Sequence, residues 1–135
     1  MVHSKNKGKA FELKVSHMIK DFGFAARRGQ QFQGTPESPD IISELPFNFE
    51  CKAVEKLNLW DAWEQAKSDS GASEMPAVVF KRNRSDILIC MEFSDLLGIM
   101  VWIKEKGLMD EWRERIRGKG AKSIRGIEGE TERVL

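Results

Sequence analysis

Apolar residues recur early in the chain at Phe11, Val15, Met18 and Phe22, at intervals of four, three and four. That spacing predicts an amphipathic helix from about Lys9, with Gly23 as its stop. Glu12 falls about 100° round from Phe11, at the edge between core and solvent. Met1 to Gly8 reads as a mobile basic arm leading into this helix. Phe24 to Phe32 has strand character and holds Arg27 and Arg28, after which Gly34, Pro36, Ser38 and Pro39 predict a polar loop. The short segment Asp40-Ile41-Ile42, a turn at Glu44-Leu45-Pro46 and the run Phe47 to Val54 predict a hairpin. Leu59, Trp63, Ala66 and Ser70 share one face of a second helix, with Asn58 as N-cap and Gly71 as stop. Trp60 and Trp63 both read as core anchors of that helix. Pro76 to Phe80 and Asp86 to Phe93 are runs of strand length, joined by the basic tip Lys81-Arg82-Asn83-Arg84-Ser85. Ser94-Asp95 caps a third helix running through Leu97, Met100, Val101 and Ile103 towards Gly107, and Leu108 to Arg117 is again helical. Periodicity then stops among Gly118, Gly120, Gly126 and Gly129, which predicts a flexible or partner-binding tail over the last fifteen or so residues.

Within this frame the stretch from Pro39 to Lys52 carries the chemistry. Side chains alternate along a strand, so Glu50 and Lys52 emerge on one face of Asn48 to Val54, and Phe49 and Cys51 on the other. Asp40 precedes Glu50 by nine intervening residues. If its segment is the neighbouring strand, two carboxylates approach one hard cation with an ammonium beside them. That combination suits metal-assisted cleavage of a phosphodiester. Glu12, at the boundary of the first helix, is placed to reach such a cleft, although a plain surface glutamate would occupy the same position. Gln65, on the flank of the second helix, is a candidate hydrogen-bond donor to a scissile phosphate, with a solvent-facing glutamine as the default.

Composition narrows the picture. With 41% apolar and 32% charged residues over 135 positions, the chain is an ordinary folded domain rather than a disordered one. No apolar run reaches the roughly 20 residues that span a bilayer, and the opening residues have no secretory apolar core, so a soluble, cytoplasmic protein is expected. Cys51 and Cys90 stand in apolar contexts with no paired spacing and read as free thiols, not zinc ligands or a disulfide. The net charge of +1 conceals a segregation. Residues 1–34 carry seven Lys and Arg against two acids, residues 35–103 six against twelve, and residues 104–135 nine against seven. Basic flanks around an acidic middle suit a polyanion held at the periphery and a cation at the centre; ordinary solvated faces explain the same runs equally well.

The order helix, strand, hairpin, helix, strand, strand, helix, with ProAsp and GluCysLys at those positions, resembles the PD-(D/E)XK nuclease superfamily. Within it the chain is most similar to the archaeal Holliday-junction resolvase branch and related phage nucleases, from about Lys7 to Leu97. LysGlyLysAlaPheGlu opening the first helix, ArgArgGlyGlnGlnPhe before the loop and the GlnAla pair on the second helix carry the likeness. The resemblance implies an α/β, restriction-endonuclease-like core, a mixed β-sheet flanked by helices in αβββαβ order, over residues 1–107. Residues 108–135 would be a helical or flexible extension of the same domain.

It further implies that Asp40 and Glu50 bind Mg²⁺ or Mn²⁺, with the main-chain carbonyl of Cys51 as a further ligand and Glu12 at a second metal position or orienting its water. Lys52 would stabilise developing charge, and Gln65 would match a polar position on the second helix. The expected activity is divalent-metal-dependent endonucleolytic cleavage of DNA, selective for branched DNA. Lys7, Lys9, Arg27, Arg28, Gln31, Lys81, Arg82 and Arg84 are candidates for contacts to the nucleic acid. The branch generally works as homodimers, and Met100, Trp102 and Leu108 are candidates for the interface. A Gln-rich loop from Gln30 to Ser38 and the tail after Gly107 depart from the resolvase pattern. A restriction- or repair-type nuclease acting on duplex or flap DNA, and a non-catalytic DNA-binding module with the same fold, remain the alternatives.

Overall fold

A computed structural model describes residues 2–29 and 39–119. The polar loop with Gln31 and the glycine-rich tail lie outside the described residues. The chain divides into two compact units, Met1–Glu92 and Phe93–Leu135.

The first unit opens with helix α1 (Val2–Asp21), followed by strands β1 (Ala26–Arg28), β2 (Ile41–Ser43) and β3 (Phe47–Ala53), helix α2 (Leu59–Asp69) and strands β4 (Met75–Lys81) and β5 (Leu88–Met91). β3, β4 and β5 form a mixed sheet in that order, β3 and β4 parallel and β4 and β5 antiparallel. Helices pack on both faces, which is the mixed α/β architecture that the sequence predicts.

α1 begins earlier than predicted. The stretch expected to be a mobile arm is helical from Val2, across Gly8. A glycine inside a helix costs only about 1 kcal/mol, so it weakens the local signal without stopping the helix. The buried line is Phe11 and Val15 with Ile19 packed against the same cluster, while Met18 is exposed. Gly23, at a φ of 95°, ends the helix: its N–H donates to the Lys20 carbonyl and that of Phe24 to Ile19.

Strand alternation sorts the core into two clusters. Phe49 and Cys51 of β3 and Ala77 and Val79 of β4 face α1, where they meet Phe11, Val15 and Ile41. Val78 meets Ala62, Trp63 and Ala66 of α2 on the opposite face. Buried Asn48 donates from Nδ2 to the Ala66 carbonyl at 3.2 Å and ties β3 to α2 on that face. Asn58 caps α2 as predicted, accepting from the Asp61 N–H at 3.1 Å. Trp63 is a core residue, but Trp60 is 76% exposed, contrary to its reading as an anchor. It lies outside the narrow stripe of Ala62, Trp63 and Ala66, and a tryptophan off that stripe has no sheet to pack on.

The predicted hairpin needs a second correction. β2 pairs antiparallel with β1, Arg27 opposite Ile42, and not with β3. The reason is visible at the outer edge of β3, where the Cys51 N–H is taken by the side chain of Asp40 rather than by a strand carbonyl.

The second unit holds α3 (Phe93–Glu105) and α4 (Met109–Lys119). α3 starts at Phe93, slightly before the Ser94-Asp95 cap predicted, and Gly107, at a φ of 73°, closes it. None of its residues is buried, although Phe93, Leu97, Val101 and Trp102 are apolar. α4 is solvated and laced with ion pairs such as Arg115 with Glu111 at 2.8 Å.

Candidate active site

Three candidate acids of the first unit come from three separate segments: α1, the residue before β2, and β3. Glu50 sits in the middle of β3 and is only 8% exposed. Its Oε1 lies 3.5 Å from Nζ of Lys52, two residues along on the same face, as strand alternation predicts. Asp40, just before β2, accepts the Cys51 N–H on Oδ2 at 2.8 Å. The Asp40 and Glu50 carboxyls are close enough to influence each other's charge. Glu12, on the half-buried flank of α1, accepts from Nε of Arg28 at 2.8 Å.

The electrostatics show acids gathered beyond what the local cations offset. Burial, then the neighbouring Asp40, push Glu50 from its ordinary value of 4.5 up to about 7, against the opposing pull of Lys52. Burial also raises Asp40, although the Cys51 N–H and Lys52 act the other way. Glu12 is raised by burial and by Asp40, with Arg28 opposing. Carboxyls raised by burial and by one another's charge are the arrangement that a bound cation would relieve.

Among the described residues no group of three or more His, Cys, Asp and Glu closes on one point as a ready metal cage. The acids that approach one another are Asp40 and Glu50. One or two carboxylates with a main-chain carbonyl and waters is the donor set that suits a hydrated hard cation such as Mg²⁺. The Cys51 thiol does not join them: it is buried on the α1 face, and burial followed by Asp40 pushes its pKa upward, which keeps it protonated.

The remaining candidates fall in different places. Gln65 is exposed on α2, and its side chain has no hydrogen bond among the described residues. Arg28 is engaged with Glu12, whereas Arg27, one residue earlier, is exposed. Lys7 donates from Nζ to Oδ1 of Asn83 at 3.0 Å, and Lys9, Arg82 and Arg84 are exposed. Lys81 is half-buried at the end of β4.

Two residues that the sequence reading passed over shape the site. Gly29 is buried and its N–H donates to the Asp40 carbonyl at 2.8 Å. A Cβ there would stand 1.8 Å from the Pro39 carbonyl oxygen, so only glycine lets β1 pass this close to Asp40. Its one sequence signal is a glycine directly after the Arg27-Arg28 strand. Asp69, at the end of α2, adds negative charge that raises both Asp40 and Glu50. It stands four residues after Gln65, on the same helical face, and that spacing was the available signal.

A family model described as "Phage putative PDDEXK endonuclease" matches residues 3–117. No curated protein matches the chain. A solved structure of Hjc, a Holliday junction resolvase from the archaeal hyperthermophile Archaeoglobus fulgidus, is similar at 27% identity and a TM-score of 0.49, over 63% of this chain and 72% of that one.

Proposed function

The chain belongs to the phage PDDEXK endonuclease family, and on that premise we propose that it is a divalent-metal-dependent endonuclease that cuts branched DNA. The observation that carries the chemistry is the pairing of the Asp40 and Glu50 carboxyls beside Nζ of Lys52, 3.5 Å from Glu50. Asp40 and Glu50 are the residues that would hold Mg²⁺ or Mn²⁺, with the Cys51 carbonyl as a further ligand and Glu12 orienting water. When bound, such a cation supplies an acidified water and neutralises charge on the phosphate oxygens.

The protein's own groups do the rest. The backbone of Glu50 is fixed, because it stands mid-way along a strand paired over its length with β4. Lys52 is held by the same strand, so its ammonium is aimed at the position where phosphate charge develops rather than sampling solvent. Arg28 holds Glu12 by a hydrogen bond from Nε to Oε1, and among the described residues no other hydrogen bond to the Glu12 side chain is formed. Asp69 adds its charge to the pair from α2, and Gln65, four residues before it, would be a donor towards the phosphate.

Selectivity for branched DNA rests on the likeness of the α1, ArgArgGly and GlnAla segments to resolvases. A homodimer would let two such sites act on two strands, and the apolar residues exposed on α3 are a surface for it. No helix among the described residues is long and apolar enough to cross a membrane. A DNA substrate is compatible with a cytoplasmic protein, in the host's cytoplasm if a virus encodes it. The test is a panel of four-way junction, flap, linear duplex and single-stranded DNA, each digested with and without Mg²⁺ or Mn²⁺. Preferential cutting of the junction is expected; equal or better cutting of linear duplex or flap would replace it with a restriction- or repair-type activity.

A further inference from the structure

Between α1 and the β4–β5 hairpin lies an open groove of about 470 Å³ that takes no part in the acid cluster. Lys7, Lys14, Lys81 and Arg84 line it, its floor includes Ala10 and Ala53, and no acid lines it. Among the described residues none of these four cations forms an ion pair. Four cations without an ion pair, set around a small apolar floor, make the groove locally positive, and an anion lying in it would be held by all four.

The hairpin tip is fixed in place. The Ser85 N–H donates to the Arg82 carbonyl and the Arg82 N–H donates to Ser85 Oγ at 3.0 Å, closing a four-residue turn. Asn83 tethers that turn to both neighbours: its Oδ1 accepts from Lys7 at 3.0 Å and its N–H donates to the Glu55 carboxylate. Arg84 takes a left-handed backbone, with φ at 59°, which glycine or asparagine would adopt more easily. A non-glycine residue kept in that conformation within a tied-down turn is a common mark of a binding position.

We propose that this groove binds the sugar-phosphate backbone of a DNA arm outside the scissile linkage. Phosphates meet Lys7, Lys14, Lys81 and Arg84, and deoxyribose covers the alanine floor. The contact positions DNA without reading sequence, because the groove has ammonium and guanidinium groups at its rim and aliphatic carbon at its base. The identity of the ligand rests on the nuclease reading; the anion site itself rests on the four cations and the strained tip.

The test measures binding of a fluorescent four-way junction by anisotropy across a salt series in EDTA, where cleavage does not interfere. The full chain is compared with Lys14→Ala/Lys81→Ala/Arg84→Ala and with a charge-matched control, Lys20→Ala/Lys56→Ala/Lys104→Ala. The groove variant should bind roughly 10- to 100-fold more weakly, with the slope of log K against log salt reduced by about 2 to 3, close to 0.9 per lost phosphate contact. The control should change little. Cleavage by the groove variant in Mg²⁺ should show a raised KM with kcat kept near wild type. Lys14→Ala alone, an exposed helix position where alanine favours folding, should give about one third of the slope change and guards against misfolding of the triple variant. An unchanged slope, or an equal loss in the control, overturns the groove. Absent cleavage by the wild-type protein, with the slope change intact, overturns the nuclease reading instead and leaves the anion site standing.

Discussion

Replacing Glu50 with glutamine is predicted to stabilise the metal-free protein at pH 8 while abolishing cleavage. Glu50 is nearly buried and held at about 7 in place of 4.5. A carboxyl raised on folding favours the folded state fully below its unfolded value, and that contribution is lost as pH rises through the folded value. Wild-type protein in EDTA should therefore lose stability between pH 5 and pH 8. At about 1.4 kcal/mol for each tenfold change in proton affinity the full effect would be about 3 kcal/mol. Partial solvation of the carboxyl and the nearby Lys52 reduce the expected loss to about 1–2 kcal/mol. Glutamine has the same shape and no charge to desolvate, so Glu50→Gln should recover most of that loss at pH 8 and flatten the slope. Asp40 and Glu12, both raised as well, leave a shallower slope of the same sign. Urea unfolding in EDTA at pH 5 and pH 8 measures it. A wild-type curve flat in pH, or a glutamine variant less stable than wild type at pH 8, would show that Glu50 is not buried against its charge as described.

Lys52→Ala should lower the rate of cleavage roughly 10²- to 10³-fold, the scale of losing one group that stabilises transition-state charge, with DNA affinity in EDTA within about threefold of wild type; single-turnover cleavage and anisotropy separate the two. Gly29→Ala should destabilise the fold by about 1–3 kcal/mol, because its Cβ would stand 1.8 Å from the Pro39 carbonyl oxygen. It should also reduce cleavage beyond what the unfolded fraction accounts for, as the backbone at Asp40 is displaced; urea unfolding beside a cleavage assay at low temperature checks both.

Strand β3 was legible because its signal is local. A period of two puts Glu50 and Lys52 together whatever surrounds them, and the apolar partners Phe49 and Cys51 fix which face is buried. Helix α2 was legible from its cap, and the basic tip from its composition. What failed depended on tertiary choices. The pairing of β2 with β1 follows from Asp40 taking the Cys51 N–H, and no spacing in the sequence distinguishes that from a β2–β3 ladder. The pairing of Arg28 with Glu12 spans sixteen residues and joins a strand to a helix, so Glu12 was read as an acid at the cleft and Arg28 as a nucleic-acid contact, with no link between them. Trp60 was misplaced because size alone suggested burial, whereas its angle round α2 decides it. Gly29 carries no side chain to notice, and its role exists only once Pro39 has been brought against it.

The proposed cutting of DNA requires Asp40 and Glu50 to act as one divalent-cation site. Its most direct test is cleavage of a labelled four-way junction in Mg²⁺ by wild type, Asp40→Asn and Glu50→Gln, with binding of the same junction measured in EDTA. Wild type should cut in Mg²⁺ and not in EDTA, and both variants should lose at least about 10³-fold in rate with junction affinity retained. Cleavage by either variant at the wild-type rate, or by wild type in EDTA, would contradict it.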